Sequence, residues 1–288
     1  MTSGPDNRGF TIVETLMFLA VSALILVSAL GLFSGSQNKN QFYQAVNDIN
    51  QQISDVINNV SNGYYPNTFT NYRCTDTGGK PALNPAGSTV QQGENQECIF
   101  LGRIIEFTNT ETFYVLNVVG LRQQTGTNNQ VTTMVQAKPK IIEPIPTSAD
   151  PTYRNYPDST EKRSLKNGLT LTKAYYERPP RTDVVAVGFF STLAANNTGG
   201  LAGDLQSKGL NTEFAPAGRF SLNVSRNTFL EDFNNNFGGQ YGGLSNPESG
   251  VVLCFRSSAT NQFAKITVGG SGQQTATKLE VVICWLWT

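Results

Sequence analysis

Histidine is missing altogether from this 288-residue chain. Its absence removes the commonest general base and metal ligand, and with them Ser-His-Asp and Cys-His nucleophiles and His-based zinc sites. Net charge is missing too: 21 lysines and arginines balance 21 aspartates and glutamates, and charged residues make up only 15% of the chain. No field draws the whole molecule to nucleic acid or to an anionic membrane, so any such attraction has to be local. Glycine-rich phosphate-binding motifs are lacking. Cysteine is sparse, and its four copies form two widely spaced pairs, Cys74 with Cys98 and Cys254 with Cys284. Neither pair has the spacing of a zinc or redox motif. We therefore expect no catalytic residue, no metal and no cofactor.

What is present is enough apolar material, 39% with 10% aromatic, to bury a core. Four cysteines allow three connectivities. Local pairing, Cys74–Cys98 and Cys254–Cys284, would close loops of about 25 and 31 residues and remove about 3 to 4 kcal/mol of unfolded-state freedom each. That pairing is the expectation; four buried thiols are the alternative.

The chain opens with a polar stretch, residues 1–9, that runs into a block without charge at residues 16–33. As a helix this block rises about 27 Å, close to the roughly 30 Å of a bilayer's hydrocarbon. After a polar patch at 34–41, Phe42, Val46, Ile49, Ile53, Val56 and Val60 recur at steps of four and three, widened by Ile57. That is a helix with one buried face, stopped by Gly63 and Pro66. Beyond it, glycine, proline and asparagine clusters separate β-type runs at 99–107, 112–121, 131–135, 184–190, 219–224, 251–256, 263–268 and 279–286. Residues 138–181 and 194–218 read as long loops. The expected class is α+β: one long N-terminal helix, transmembrane over 10–33 and amphipathic over 34–62, packed on an antiparallel head of two sheets over 63–288.

The junction Arg8-Gly9-Phe10-Thr11-Ile12-Val13-Glu14 resembles the processing signal of type IV prepilins and pseudopilins. The resemblance covers residues 8–60. It implies a leader at 1–9, cleavage between Gly9 and Phe10 by a prepilin peptidase, and methylation of the new Phe10 amine. A carboxylate at Glu14, two residues before the uncharged span, costs up to roughly 2.5 to 3.5 kcal/mol if it lies deep without a partner. In the family the partner is the N-terminal amine of a neighbouring subunit, so Glu14 would set register during assembly; the plain alternative is a flanking residue that snorkels to the headgroups. Gly31 stands where abundant pilins often carry proline, and both weaken a helix, glycine by about 1 kcal/mol. A single basic residue, Arg8, beside Asp6, makes a weak positive-inside signal. An N-terminus on the cytoplasmic side therefore rests on the resemblance.

Residues 251–254, a glycine-rich turn and residues 281–284 read as a cystine-closed β-hairpin, similar to the disulfide-bounded C-terminal region of pilins. With the two-sheet texture this is similar to the minor pseudopilin H group of type II secretion and related minor pilins. The resemblance implies other pilin or pseudopilin subunits as partners, an inner-membrane assembly platform with a separate motor ATPase, and residence in the cytoplasmic membrane before assembly into a cell-surface or periplasmic filament. The long head favours a low-copy subunit.

Two weaker constellations have plain alternatives. Lys162, Arg163, Lys166, Lys173, Arg178 and Arg181, with Tyr175 and Tyr176, could hold DNA through phosphates and stacking, or form a solvated loop. Asp232, Asn234 and Asn236 resemble a calcium loop, but the glycine comes one place late and Gly243 stands where a bidentate glutamate belongs, which favours a flexible loop. Two other functions compete with the filament subunit. One is a conventionally secreted β-rich binding protein cut after Ala29. The other is an anchored enzyme working through carboxylate pairs, to which no residue points.

Overall fold

The computed structural model describes residues 11–63, 72–85, 97–107, 110–127, 129–141, 161–176, 184–191, 205–211, 250–269 and 276–281. Its first element is a single α-helix, α1 (Ile12–Ser61), 50 residues long and so about 75 Å from end to end. No proline interrupts it. Thr11 caps its start, and at its end the Asn62 N–H donates to the Asn58 carbonyl and the Gly63 N–H to the Val60 carbonyl, while Gly63 takes a positive φ of 62°. That left-handed turn suits glycine and ends the helix.

The two halves of α1 differ in what they bury. Phe42, Ala45, Val46, Ile49, Ile53, Val56, Ile57 and Val60 are all buried in one core with residues of two antiparallel sheets. By contrast, the large apolar side chains from Ile12 to Phe33 for which burial is given are 56 to 80% exposed. The expected stripe at 42–60 is the face that meets the head.

The larger sheet runs in the order β5 (Lys140–Ile141), β4 (Thr112–Leu121), β3 (Cys98–Glu106), β8 (Val184–Ser191), β9 (Leu205–Asn211), with β6 (Glu161–Ser164) also pairing β4. A four-stranded sheet runs β12 (Thr277–Glu280), β11 (Phe263–Val268), β10 (Val251–Ser257), β7 (Leu169–Tyr176). The buried face of α1 shares one core with Ile105, Val115 and Phe189 of the first and Leu171, Leu253 and Ile266 of the second. A separate hairpin, β1 (Tyr72–Thr77) with β2 (Lys80–Pro85), turns at Gly78 and Gly79. Their φ values of 64° and 79° match the right-handed twist of a two-residue hairpin. At Gly102 β3 carries a bulge against β4, and a Cβ there would overlap the Phe189 carbonyl of β8.

Several expectations are corrected. Among the described residues the head holds two large sheets and a small third one. Residues 131–135 are no strand: α2 (Met134–Ala137) forms there because Thr133 Oγ1 accepts from Gln136 N and Gln136 Oε1 accepts from Thr132 N, a capping arrangement that apolar counting overlooks. The supposed loop 138–181 contains β5, β6 and β7, and Leu169 and Leu171 of β7 enter the core in strict alternation. The supposed loop 194–218 contains β9, an edge strand whose polar sequence carries no alternation. Residues 251–254 and the C-terminal strand do not form one hairpin, because β11 lies between β10 and β12. Residues 219–224 and 282–286 lie outside the described residues.

Candidate functional site

The chemistry singled out in the sequence converges on the start of α1. Gly9 and Phe10 lie outside the described residues, and the first described residue is Thr11. Thr11 and Glu14 cap the helix reciprocally: the Glu14 N–H donates to Thr11 Oγ1 at 3.3 Å, and Glu14 Oε2 accepts from the Thr11 backbone N–H at 3.0 Å. The Thr11 hydroxyl also reaches Oε2, at 3.1 Å. Among the described residues, these contacts all use Oε2, and Oε1 makes no hydrogen bond. The Thr-x-x-Glu spacing that produces this box is plain in the sequence, yet the family signal drew attention to Glu14 alone.

Downstream of the cap the helix surface is apolar all round. Its two hydroxyls with defined partners turn inward to the backbone: Thr15 Oγ1 donates to the Ile12 carbonyl and Ser28 Oγ to the Leu24 carbonyl, both at 2.8 Å. Hydroxyls satisfied within the helix need no water, which suits a hydrocarbon surround. None of the most apolar 18-residue window is buried inside the protein, and α1 is long and apolar enough to cross a membrane. A core helix of similar composition would be covered by its own fold.

The basic segment is divided by the fold. Arg163, on β6, donates from a guanidinium nitrogen to the Gln52 carbonyl of α1 at 3.2 Å. Lys166 pairs with Asp48 of α1 at 3.3 Å, and Asn167 Nδ2 donates to the Gln41 carbonyl at 3.2 Å. These side chains bind the head to its own helix. Lys162 and Lys173 are exposed on β6 and β7, which belong to different sheets. Arg178, Arg181 and the run 232–243 lie outside the described residues.

Cys74 of β1 and Cys98 at the start of β3 form a disulfide, as expected. It fastens the small hairpin to the larger sheet, beside the hydrogen bond from Asp76 N to Glu97 Oε2 at 2.7 Å. Cys254 is buried in β10, and Cys284 lies outside the described residues. No family of known proteins, no curated protein and no solved structure matches this chain.

Proposed function

We propose that this chain is a minor pilin or pseudopilin: a structural subunit, not an enzyme, of a type IV pilus or type II secretion-like filament. In this reading a prepilin peptidase cuts between Gly9 and Phe10, α1 sits in the cytoplasmic membrane through residue 33, and the head is extracytoplasmic. An assembly platform with its motor ATPase then draws the subunit among its neighbours.

One observation carries the proposal. A single unbroken helix has a first half whose large apolar side chains are exposed and a second half fastened to the head. Such a helix can trade lipid for the helices of other subunits without disturbing its own fold. Glu14 is suited to that exchange, since Oε2 caps its own helix while Oε1 is left to meet a cation on a neighbour. The secreted alternative, cut after Ala29, would sever α1 in mid-helix. With Arg163 and Lys166 engaged on α1, the proposal includes no nucleic-acid site.

Filaments sheared or extracted from the native cell test the reading by mass spectrometry. The wild-type chain is expected in the filament fraction, and the Glu14→Ala variant only in the membrane. Wild-type chain found solely outside filaments would remove the subunit assignment. A Glu14→Ala variant incorporated at the wild-type level would remove the role given to Glu14.

A further inference from the structure

The lower end of the head lies close to where α1 leaves its apolar half, and two routes through the fold agree on its height. Directly, Asn167 binds the Gln41 carbonyl, and Ser258 N donates to the Gly168 carbonyl at 3.1 Å. The turn at 166–168 and the β10–β11 turn at 258–261 therefore adjoin each other beside Gln41. Independently, Ser54 Oγ meets Thr277 Oγ1 at 3.3 Å, and Thr277 stands opposite Val268. From Val268 β11 descends about 17 Å to Phe263, and α1 descends about 20 Å from Ser54 to Gln41.

Gln41 is eight residues beyond Phe33, which is about 12 Å of helix. The headgroup layer of one leaflet fills about 5 to 7 Å of that rise, and the remainder is within the reach of a lysine or arginine side chain. Among the described residues the basic side chains outnumber the acidic ones near this level. Between Glu14 and Asp48 the only charged residue is Lys39, exposed about 9 Å above Phe33. Arg256 is exposed above the 258–261 turn, held to Asn261 Oδ1 at 2.9 Å and over the Phe263 ring. Lys166 is 65% exposed. Its partner Asp48 sits two helical turns farther from the span, and Glu111, whose carbonyl takes the Leu165 N–H, is the other acid nearby.

We infer that this pole is a lipid-facing surface: the turns at 166–168 and 258–261, with Lys39 and Arg256, rest on the anionic phospholipid headgroups of the bilayer that holds α1. The inference rests on the membrane reading of the helix. It gives the head a fixed seat before assembly, one that extraction from the membrane has to break.

The full chain in vesicles, of phosphatidylcholine alone or with phosphatidylglycerol, tests it through two single-cysteine fluorophores. A label at Ala259→Cys, exposed in the lower turn, reports contact through quenching by headgroup nitroxides. A label at Leu26→Cys reports insertion through acyl-chain nitroxides. With insertion established, the Ala259 label is expected to be quenched on the anionic vesicles and much less on the neutral ones. High salt should release it, because the screening length falls to about 3 Å at 1 M. Lys39→Gln and Arg256→Gln should each weaken the contact about fivefold, whereas Lys278→Gln, on β12 in the upper part of its sheet, should leave it unchanged. Equal quenching on both vesicle types, or indifference to salt and to both variants, overturns the lipid seat alone. A Leu26 label that acyl-chain nitroxides fail to quench overturns the membrane reading, and the seat falls with it.

Discussion

At the scale of single residues, Glu14 caps α1, and the proposed function gives it a second job that substitution can separate from the first. Removing the cap with Thr11→Ala should cost the first turn about 1 kcal/mol. It should show as faster amide exchange at residues 12–15, with filament entry largely kept. Glu14→Gln keeps a side-chain acceptor for the Thr11 N–H and loses only the charge. Filament entry should therefore fail in Glu14→Gln while exchange in the first turn stays near the wild-type rate. Equal behaviour of the two variants would mean that capping is all Glu14 does.

Glu280 shows a charge at work in the head. A hydrogen bond from Lys278 holds its carboxyl below the usual range against partial burial, and the Lys278 and Lys265 charges add to the effect. Because the folded value is the lower one, the stabilisation is complete above the ordinary carboxylate value of about 4.3 and fades as pH falls through the folded value. Glu280→Gln should thus lower the urea midpoint slightly at pH 7 and leave it unchanged in strong acid. A loss that persists in acid would assign the effect to packing.

At the scale of elements, the head is joined to α1 by a buried stripe and an exposed polar clamp of unequal weight. Ile53→Ala, at 1% exposure, should cost about 2 to 5 kcal/mol. Lys166→Ala, which breaks a largely exposed pair, should cost under about 1 kcal/mol. Denaturant midpoints of the two variants check the ratio, and a clamp as costly as the stripe would contradict it. Replacing Cys74 and Cys98 together by serine should cost about 3 kcal/mol, with exchange quickened first in β1 and β2, which that bridge ties to β3.

Legibility in the sequence followed the same division. The stripe from Phe42 to Val60 announced itself because its period is helical and its other face is amide and hydroxyl. Strands β3, β4, β8, β10 and β11 were legible as apolar runs. The edge strand β9 and the short strands β5 and β6 were not, since an edge with one solvated side leaves little pattern in residues such as Gln206, Ser207 and Lys208. The clamp was illegible for another reason: Lys166 and Asp48 are 118 residues apart, and nothing local links them.

At the scale of the whole molecule, the account divides the chain into a part that folds on itself and a part that folds against others. The described side chains of residues 12–33 lie outside the core. A fragment beginning at Ser34 should therefore melt within a degree or two of the full chain in detergent and should stay monomeric in water. Loss of cooperative melting in the fragment would show that the apolar half supports the head after all.

The central claim is that this apolar half, beginning at Phe10, is the assembly element of a processed filament subunit. The N-terminal residue and intact mass of the protein purified from its own envelope test it most directly. The account predicts a chain that starts at Phe10 with one methyl group on its amine. A chain starting at Leu30, or one that still carries the stretch 1–9 in assembled material, would contradict it.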